Sequence, residues 1–263
     1  VAGTTLSFAS GHAADMETKS AYNITLEATD VGGLTYDEDF TINVNNVNEI
    51  PTDIMLTSTS VDENSPGANI GIISGVDPDG DVLTYTIEEL GDYNQFVIKD
   101  NMLHLADGIS ADYETDSQFD ITLRATDHTG LTFDQQFTIN VNDVNEAPNN
   151  ISMLSGGSVY ENILGTSVAN IRATDPDGDS LTYTILDSLD GSIFRMSGNE
   201  LLLKDGVSAD YEGDNVTIAN GSNGTEYRFY EIEIKATDPG GLSVDGSWVI
   251  YINDDTSDNN KAP

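Results

Sequence analysis

The chain has 263 residues, with 9 Lys+Arg against 46 Asp+Glu and a formal net charge of −37. That balance excludes a nucleic-acid binder, which needs a basic footprint, and a polybasic membrane-surface patch. Without cysteine there is no disulfide framework, thiolate metal site or cysteine nucleophile, and no apolar run approaches the roughly 18–20 residues that insert into a membrane.

Taken in chain order, the elements repeat. Residues 1–51 carry A-D-x-E at Ala14–Glu17, A-T-D ending at Asp30, an alternating run Phe40, Ile42, Val44, and VNEIP ending at Pro51. The next stretch opens with VDEN at 61–64 and DPDGD at Asp77–Asp81, then LTYTI. It repeats A-D-x-E at Ala111–Glu114, A-T-D ending at Asp127, the run Phe137, Ile139, Val141, and VNEAP ending at Pro148. A third set follows: VYEN at 159–162, DPDGD at Asp175–Asp179, Ala209–Glu212, Asp238, then Trp248, Ile250, Ile252 and a weaker NKAP ending at Pro263. Pro51 to Pro148 is 148 − 51 = 97 residues and Asp77 to Asp175 is 175 − 77 = 98. One unit of that period is therefore expected at 52–148 and another at 149–263, the latter lengthened by an Asn/Gly-rich insertion at 213–225. Residues 1–51 match only the second half of a unit, so the start is read as a cut or cleavage boundary inside a repeat.

Within a unit the periodicity is two, with no helical spacing. Strands are expected in the middle unit at 53–59, 68–76, 82–88, 95–99, 101–105, 118–126 and 131–141. Seven short strands separated by turn residues predict an all-β fold: tandem Greek-key β-sandwiches of the immunoglobulin-like kind, end to end. Trp248 shares its register with Phe137 and Phe40 and is expected in a core. His12, His104 and His128 fall at unrelated positions and read as surface residues.

The acids are concentrated in the landmark strings, which fall at the expected ends of a sandwich. Carboxylates crowded into a partly desolvated seam repel by several kcal/mol per pair at an effective dielectric of about 20. A hard divalent cation removes that cost, and the donors supplied (carboxylates, amides, backbone carbonyls, no His/Cys set) suit calcium bridging successive units. An EF-hand does not fit: from Asp77 the glycine falls at the fourth loop position, and from Asp175 the twelfth is Leu186. Asp81 and Asp179 read as turn caps or outer neighbours of the ligands, with direct ligation as the alternative.

Glu63, Asp77/Asp79, Asp112/Glu114, Asp127 and the linker Asp143-Val144-Asn145-Glu146-Ala147-Pro148 together resemble the calcium-binding signature of cadherin repeats, in the form found in tandem arrays of large bacterial surface adhesins. The resemblance covers almost the whole chain. It implies about three Ca2+ at each complete junction. At the first, it implies Asp15, Glu17, Asn48 and Glu49 on one side and Asp77, Asp79 and Asp127 on the other. At the second it implies Glu63, Asp112, Glu114, Asp143, Asn145 and Glu146, completed by Asp175, Asp177 and Asp238. Asn46 stands where Asp143 does, and the linker has Glu49 and Glu146 where the vertebrate pattern has Asp. Glu161, Asp210 and Glu212 form an open half-site.

Three functional classes follow. One is a calcium-stiffened extender or adhesion segment of a secreted or bacterial cell-surface protein, with neighbouring repeats as its partners. Another is a module using the 213–225 insertion to bind a glycan, a peptide or a homotypic partner. An enzyme is disfavoured, because a catalytic carboxylate pair should occur once and these acids recur.

Overall fold

The structure is a computed structural model and describes residues 5–187, 189–213, 215–222 and 225–255. The NKAP end expected for the last repeat and residues 214, 223 and 224 of the insertion lie outside the described residues. Two compact units are present, residues 1–143 and 144–263.

In the first unit, β1 (Ala21–Thr29) and β2 (Thr35–Asn43) form an antiparallel two-stranded sheet, with Ile24 opposite Phe40. The remainder comprises β3 (Asp53–Leu56), β4 (Ser60–Asp62), β5 (Asn69–Val76), β6 (Thr84–Ile87), β7 (Phe96–Lys99), β8 (Met102–Leu105), β9 (Gln118–Thr126) and β10 (Thr132–Asn142). These make two four-stranded sheets, ordered β3-β5-β8-β7 and β4-β10-β9-β6. Side chains alternate across each strand, so every second residue meets the facing sheet. Ile54, Ile73, Leu103 and Leu105 from one sheet pack against Ile121, Leu123 and Ile139 from the other. Phe96 and Phe119 meet edge-on at 5.6 Å between centroids.

The first expected strand, 53–59, is broken in two. β3 pairs antiparallel with β5, whereas β4 runs parallel to the last strand, Val61 beside Val141. The chain crosses between sheets at Thr57–Thr59, close over Gly71, where a Cβ would lie 2.8 Å from the Ser58 carbonyl oxygen. Glycine is required there because the backbones approach so closely.

The second unit repeats the plan. β11 (Asn149–Gly156), β13 (Ser167–Thr174), β16 (Glu200–Leu203) and β15 (Phe194–Ser197) form one sheet. The other is ordered β12 (Ser158–Tyr160), β19 (Ser243–Asn253), β18 (Glu226–Thr237), β14 (Thr182–Ile185). Trp248 is half-buried and packs against this unit's core. Within the insertion, β17 (Thr217–Asn220) pairs with the start of β18, so this stretch builds a strand rather than a plain loop.

The two-stranded sheet of β1 and β2 shows by contrast what a facing sheet contributes. Phe40 and Ile42 are 42% and 37% exposed, whereas at the same register Phe137 is half-buried and Ile139 fully buried beneath the opposite sheet. We predict that Leu103→Ala lowers unfolding stability by about 2–5 kcal/mol through lost burial and a cavity, and that Thr138→Ala on the outer face costs within about 1 kcal/mol. Urea denaturation of each variant measures the contrast.

Candidate metal centres

The linker Val44–Pro51 approaches two turns that the sequence shapes for it. DPDGD is closed by the Gly80 and Asp81 amides reaching back to Asp77, with Gly80 at φ +76°. The ATD turn is an aspartate-centred loop in which the Thr129, Gly130 and Leu131 N–H groups donate to Asp127 Oδ1 at 2.7–2.9 Å. These bonds fix each carboxylate before any ligand arrives.

On this frame Asn48 Nδ2 donates to Asp127 Oδ2 at 2.7 Å and to Thr129 Oγ1 at 3.0 Å. The Glu49 N–H donates to Asp79 Oδ2 at 2.7 Å, and Asn46 Nδ2 to Asp79 Oδ1 at 2.7 Å. Asn46, which departs from the aspartate of the next linker, thus has a defined role. Two carboxylate groups form here. Glu17, Glu49 and Asp79 offer oxygens within 4.8 Å of one another, as do Asp77, Asp81 and Asp127. Asp15 caps its own turn through the Thr18 N–H and hydroxyl, and its charge also bears on Glu49.

The electrostatics carry the mark of crowding. Burial pushes the Glu49 carboxyl above its ordinary value, reinforced by the charges of Glu17, Asp79, Asp15 and Asp77. For Asp127, burial alone would raise the value, but the Asn48 amide and the turn's N–H groups outweigh it and bring the pKa to about 2. The Glu49 N–H and the Asn46 amide likewise hold Asp79 low. Asp77 Oδ2 is buried with no hydrogen-bond partner. A buried carboxylate oxygen without a donor is costly unless something positive meets it.

Further along the first unit, Glu63, Glu114 and Asp143 bring oxygens within 4.8 Å of one another. Glu63 is buried, and its Oε2 accepts the Tyr113 N–H at 2.7 Å. Asp112 caps a turn through the Thr115 N–H.

In the second unit, the residues one period later make the same two linker contacts. Asn145 Nδ2 donates to Asp238 Oδ2 at 3.0 Å, and the Glu146 N–H to Asp177 Oδ2 at 2.8 Å. Gly240 admits the Asn145 amide, since a Cβ there would lie 2.6 Å from Asn145 Oδ1. Asp175 Oδ2 and Asp177 Oδ1 are buried without hydrogen-bond partners. Burial, then the charges of Asp175, Asp177 and Asp238, push the Asp179 carboxyl up. Glu161, Glu212 and Asp254 form one more group, in which Glu161 also accepts the Tyr211 and Asp255 N–H groups.

Three participants were not singled out as ligands from the sequence. Asp81 joins the Asp77/Asp127 group directly, and its recurrence as Asp179 was the available signal. Asp254 completes the Glu161 group as Asp143 completes the Glu63 group at the same register, and that recurrence was the available signal. His128 is exposed as expected, yet its Nδ1 lies 2.5 Å from Asp81 Oδ2, which raises the imidazole pKa. Nothing in its unrepeated position signals this.

No family model matches the sequence. The chain is 31% identical over 193 residues to "Protocadherin gamma-A8" of Pan troglodytes, covering 68% of this chain and 21% of that protein. It is also 31% identical over 178 residues to "Protocadherin-like wing polarity protein stan" of Drosophila melanogaster, covering 62% of this chain and 5% of that protein. Among solved structures, the human Protocadherin-24 EC1-2 fragment superposes with TM-score 0.59 at 21% identity, over 79% of this chain and 99% of that one. The Protocadherin GammaB4 extracellular domain gives TM-score 0.63 at 21% identity, over 92% and 38%. These are cadherin-type repeats. The chain spans about a fifth of the chimpanzee relative and a far smaller share of the fly one. None of these proteins bears an enzyme's name. Among the described residues no helix is long and apolar enough to cross a membrane.

The linker tie has a defined pH response. The Asp127 carboxyl sits at about 2 in the fold against 3.8 for the ordinary group. The folded state therefore resists protonation, so the tie contributes fully above about pH 4 and is lost as pH falls toward about 2. In chelator, Asn48→Ala should lower the denaturation midpoint near neutral pH, and its difference from the parent should vanish across that acid window.

Proposed function

We propose that this segment of cadherin-type repeats works outside the cell as a calcium-dependent extender or adhesion element. The observation that carries the reading is the buried, donor-less carboxylate oxygen at the same turn position of successive repeats, Asp77 Oδ2 and Asp175 Oδ2, each among further acids. The donors fit calcium: carboxylate oxygens, side-chain amides and main-chain carbonyls, in numbers that suit six to eight hard oxygen ligands.

At the first linker the residues that would hold the ions are Glu17, Glu49, Asp77, Asp79, Asp81 and Asp127, with Asp15 beside them and the oxygen of Asn48 available. The same role is proposed one period later for Glu63, Asp112, Glu114, Asp143, Asn145, Glu146, Asp175, Asp177 and Asp238, with about three ions per complete set. When bound, calcium supplies the positive charge that lets these acids share a small volume. The chain's own part is to aim them, through the two turns and the Asn48 and Glu49 contacts. Without the cation, mutual repulsion loosens the linker from the turns. With it, the linker is clamped.

An extracellular place follows from the protocadherin relatives and from the millimolar range in which such modules take calcium. The expected limits, 1–51, 52–148 and 149–263, stand as the proposed repeats. A bacterial surface is proposed from the resemblance to tandem adhesin repeats, with the acidity and lack of cysteine in keeping. Association between copies is the partner class suggested by one structural neighbour, described as a "Protocadherin gammaB7 EC3-6 cis-dimer structure".

Calcium titration followed by calorimetry and thermal melting tests the reading. With sites of about 0.1–1 mM affinity, a hundredfold excess of Ca2+ adds about 2.7 kcal/mol per site. For a repeat of about 100 residues that corresponds to a rise in melting temperature of about 10–20 °C per site. Asp77→Asn should lower both the stoichiometry and the shift. Identical melts in millimolar Ca2+ and in chelator would sink the proposal.

A further inference from the structure

The calcium reading leaves unused the outer face of one sheet of the second unit, and this face departs from its counterparts in one direction. Tyr160 on β12, Tyr227 on β18, and Val249 and Tyr251 on β19 are exposed there, at 61%, 42%, 38% and 44%. Phe229 lies opposite Tyr251, and the Tyr251 ring meets Tyr227 and Phe229 edge-on at 6.1 Å each.

The repeat register provides an internal control. One period earlier, Tyr160 aligns with Asp62, Phe229 with Gln118, Val249 with Thr138 and Tyr251 with Asn140. There the outer face consists of polar groups that satisfy one another, with Asn142 Nδ2 donating to Asp62 at 2.8 Å and the Thr138 hydroxyl to Asp120 at 2.7 Å. In β1 and β2 the counterparts of Gln118, Thr138 and Asn140 are Ala21, Thr41 and Asn43. The same backbone thus carries a face without exposed aromatics twice and an aromatic one once. The insertion enlarges it, since β17 lines the edge of β18 over Glu226–Phe229, with Ala219 opposite Tyr227. A contiguous exposed apolar strip of this kind marks a binding surface.

Its border identifies the ligand class. In a chain with 46 acids, the cross-strand neighbours of Tyr251, Phe229 and Tyr160 are Ser158, Thr217 and Asn253, all short and uncharged, while Glu226, Arg228 and Asp254 line the groove beside them. Glu226 at the rim is already paired with Arg228 at 2.8 Å, and the same face returns to acids at Glu231 and Glu233. A net charge of −37 opposes an anionic polymer. With Glu226 held by Arg228 and Asp254 grouped with Glu161, the groups directly opposite the rings are neutral hydroxyls and an amide rather than carboxylates that would select a cationic protein.

We propose that this face binds a neutral polysaccharide. The C–H faces of successive sugar rings stack on Tyr160, Tyr227, Phe229 and Tyr251. The sugar hydroxyls exchange hydrogen bonds with the tyrosine hydroxyls, Ser158, Thr217 and Asn253. Aromatic rings with a polar tip suit a ligand that is apolar on its faces and wet at its edge. None of these residues belongs to the calcium groups, so this site stands or falls independently of them.

Native affinity electrophoresis of the full chain, in gels containing a soluble β-glucan, galactomannan or dextran, tests the proposal. At least one polymer should retard the parent, and the double variant Tyr160→Asp, Tyr251→Asn should lose at least about tenfold in affinity. That variant installs the residues of the middle repeat, and its thermal melt checks that it folds. Should it melt lower than the parent, Tyr227→Ser alone supplies the comparison. Absence of retardation by all three polymers, or equal retardation of parent and variants, overturns the proposal. So does a concentration-dependent dimer in sedimentation that the variants abolish, which would assign the face to self-association.

Discussion

Negative charge held against itself is the constraint on which the arrangement at each linker depends. The Asp77, Asp81 and Asp127 oxygens lie within 4.8 Å of one another, and so do those of Glu17, Glu49 and Asp79. The backbone works hard to keep them there. Three N–H groups of the ATD turn are committed to Asp127, and the Glu49 N–H to Asp79. Such preorganisation has a cost in the metal-free chain, visible in the raised carboxyls of Glu49 and Asp179.

The sandwiches are insulated from this tension. Their cores are built of alternating Ile, Leu, Val and Phe, and the acidic groups occupy turns and linkers rather than strand interiors. Lysines and arginines are spent elsewhere: Lys99 ties the end of β7 to Asp107 in the turn after β8, and Arg124–Asp134 links β9 to β10. Among the described residues no lysine or arginine forms an ion pair with Asp77 or Asp127. The crowded acids therefore sit in the linkers and turns, apart from the apolar cores.

Much of the fold was legible because period-two alternation and the recurring turn strings are local signals. Six of the seven strands expected in the middle repeat fall within two residues of their observed limits. The first strand was read as continuous because nothing in 53–59 announces a change of sheet; the reason lies in Gly71, distant in sequence and close in space. The acids could be nominated from their recurrence. Their grouping could not, because it depends on side-chain direction: Asp81 turns into a cluster, whereas Asp112 caps a turn. The strand inside the insertion was hidden by composition, since Asn and Gly dominate its flanks while Thr217–Asn220 find a partner in the lengthened β18.

The broken first strand has a mechanical meaning. β4 enters near the beginning of the middle repeat and runs parallel to β10, which leaves at its end. A pull applied through the two ends of that repeat therefore drags these neighbours past each other along their length. Their bonds must yield together, in shear, rather than open one after another like a zipper. A tensile element needs that property, and here it arises from a crossing that a single hydrogen-sized side chain permits.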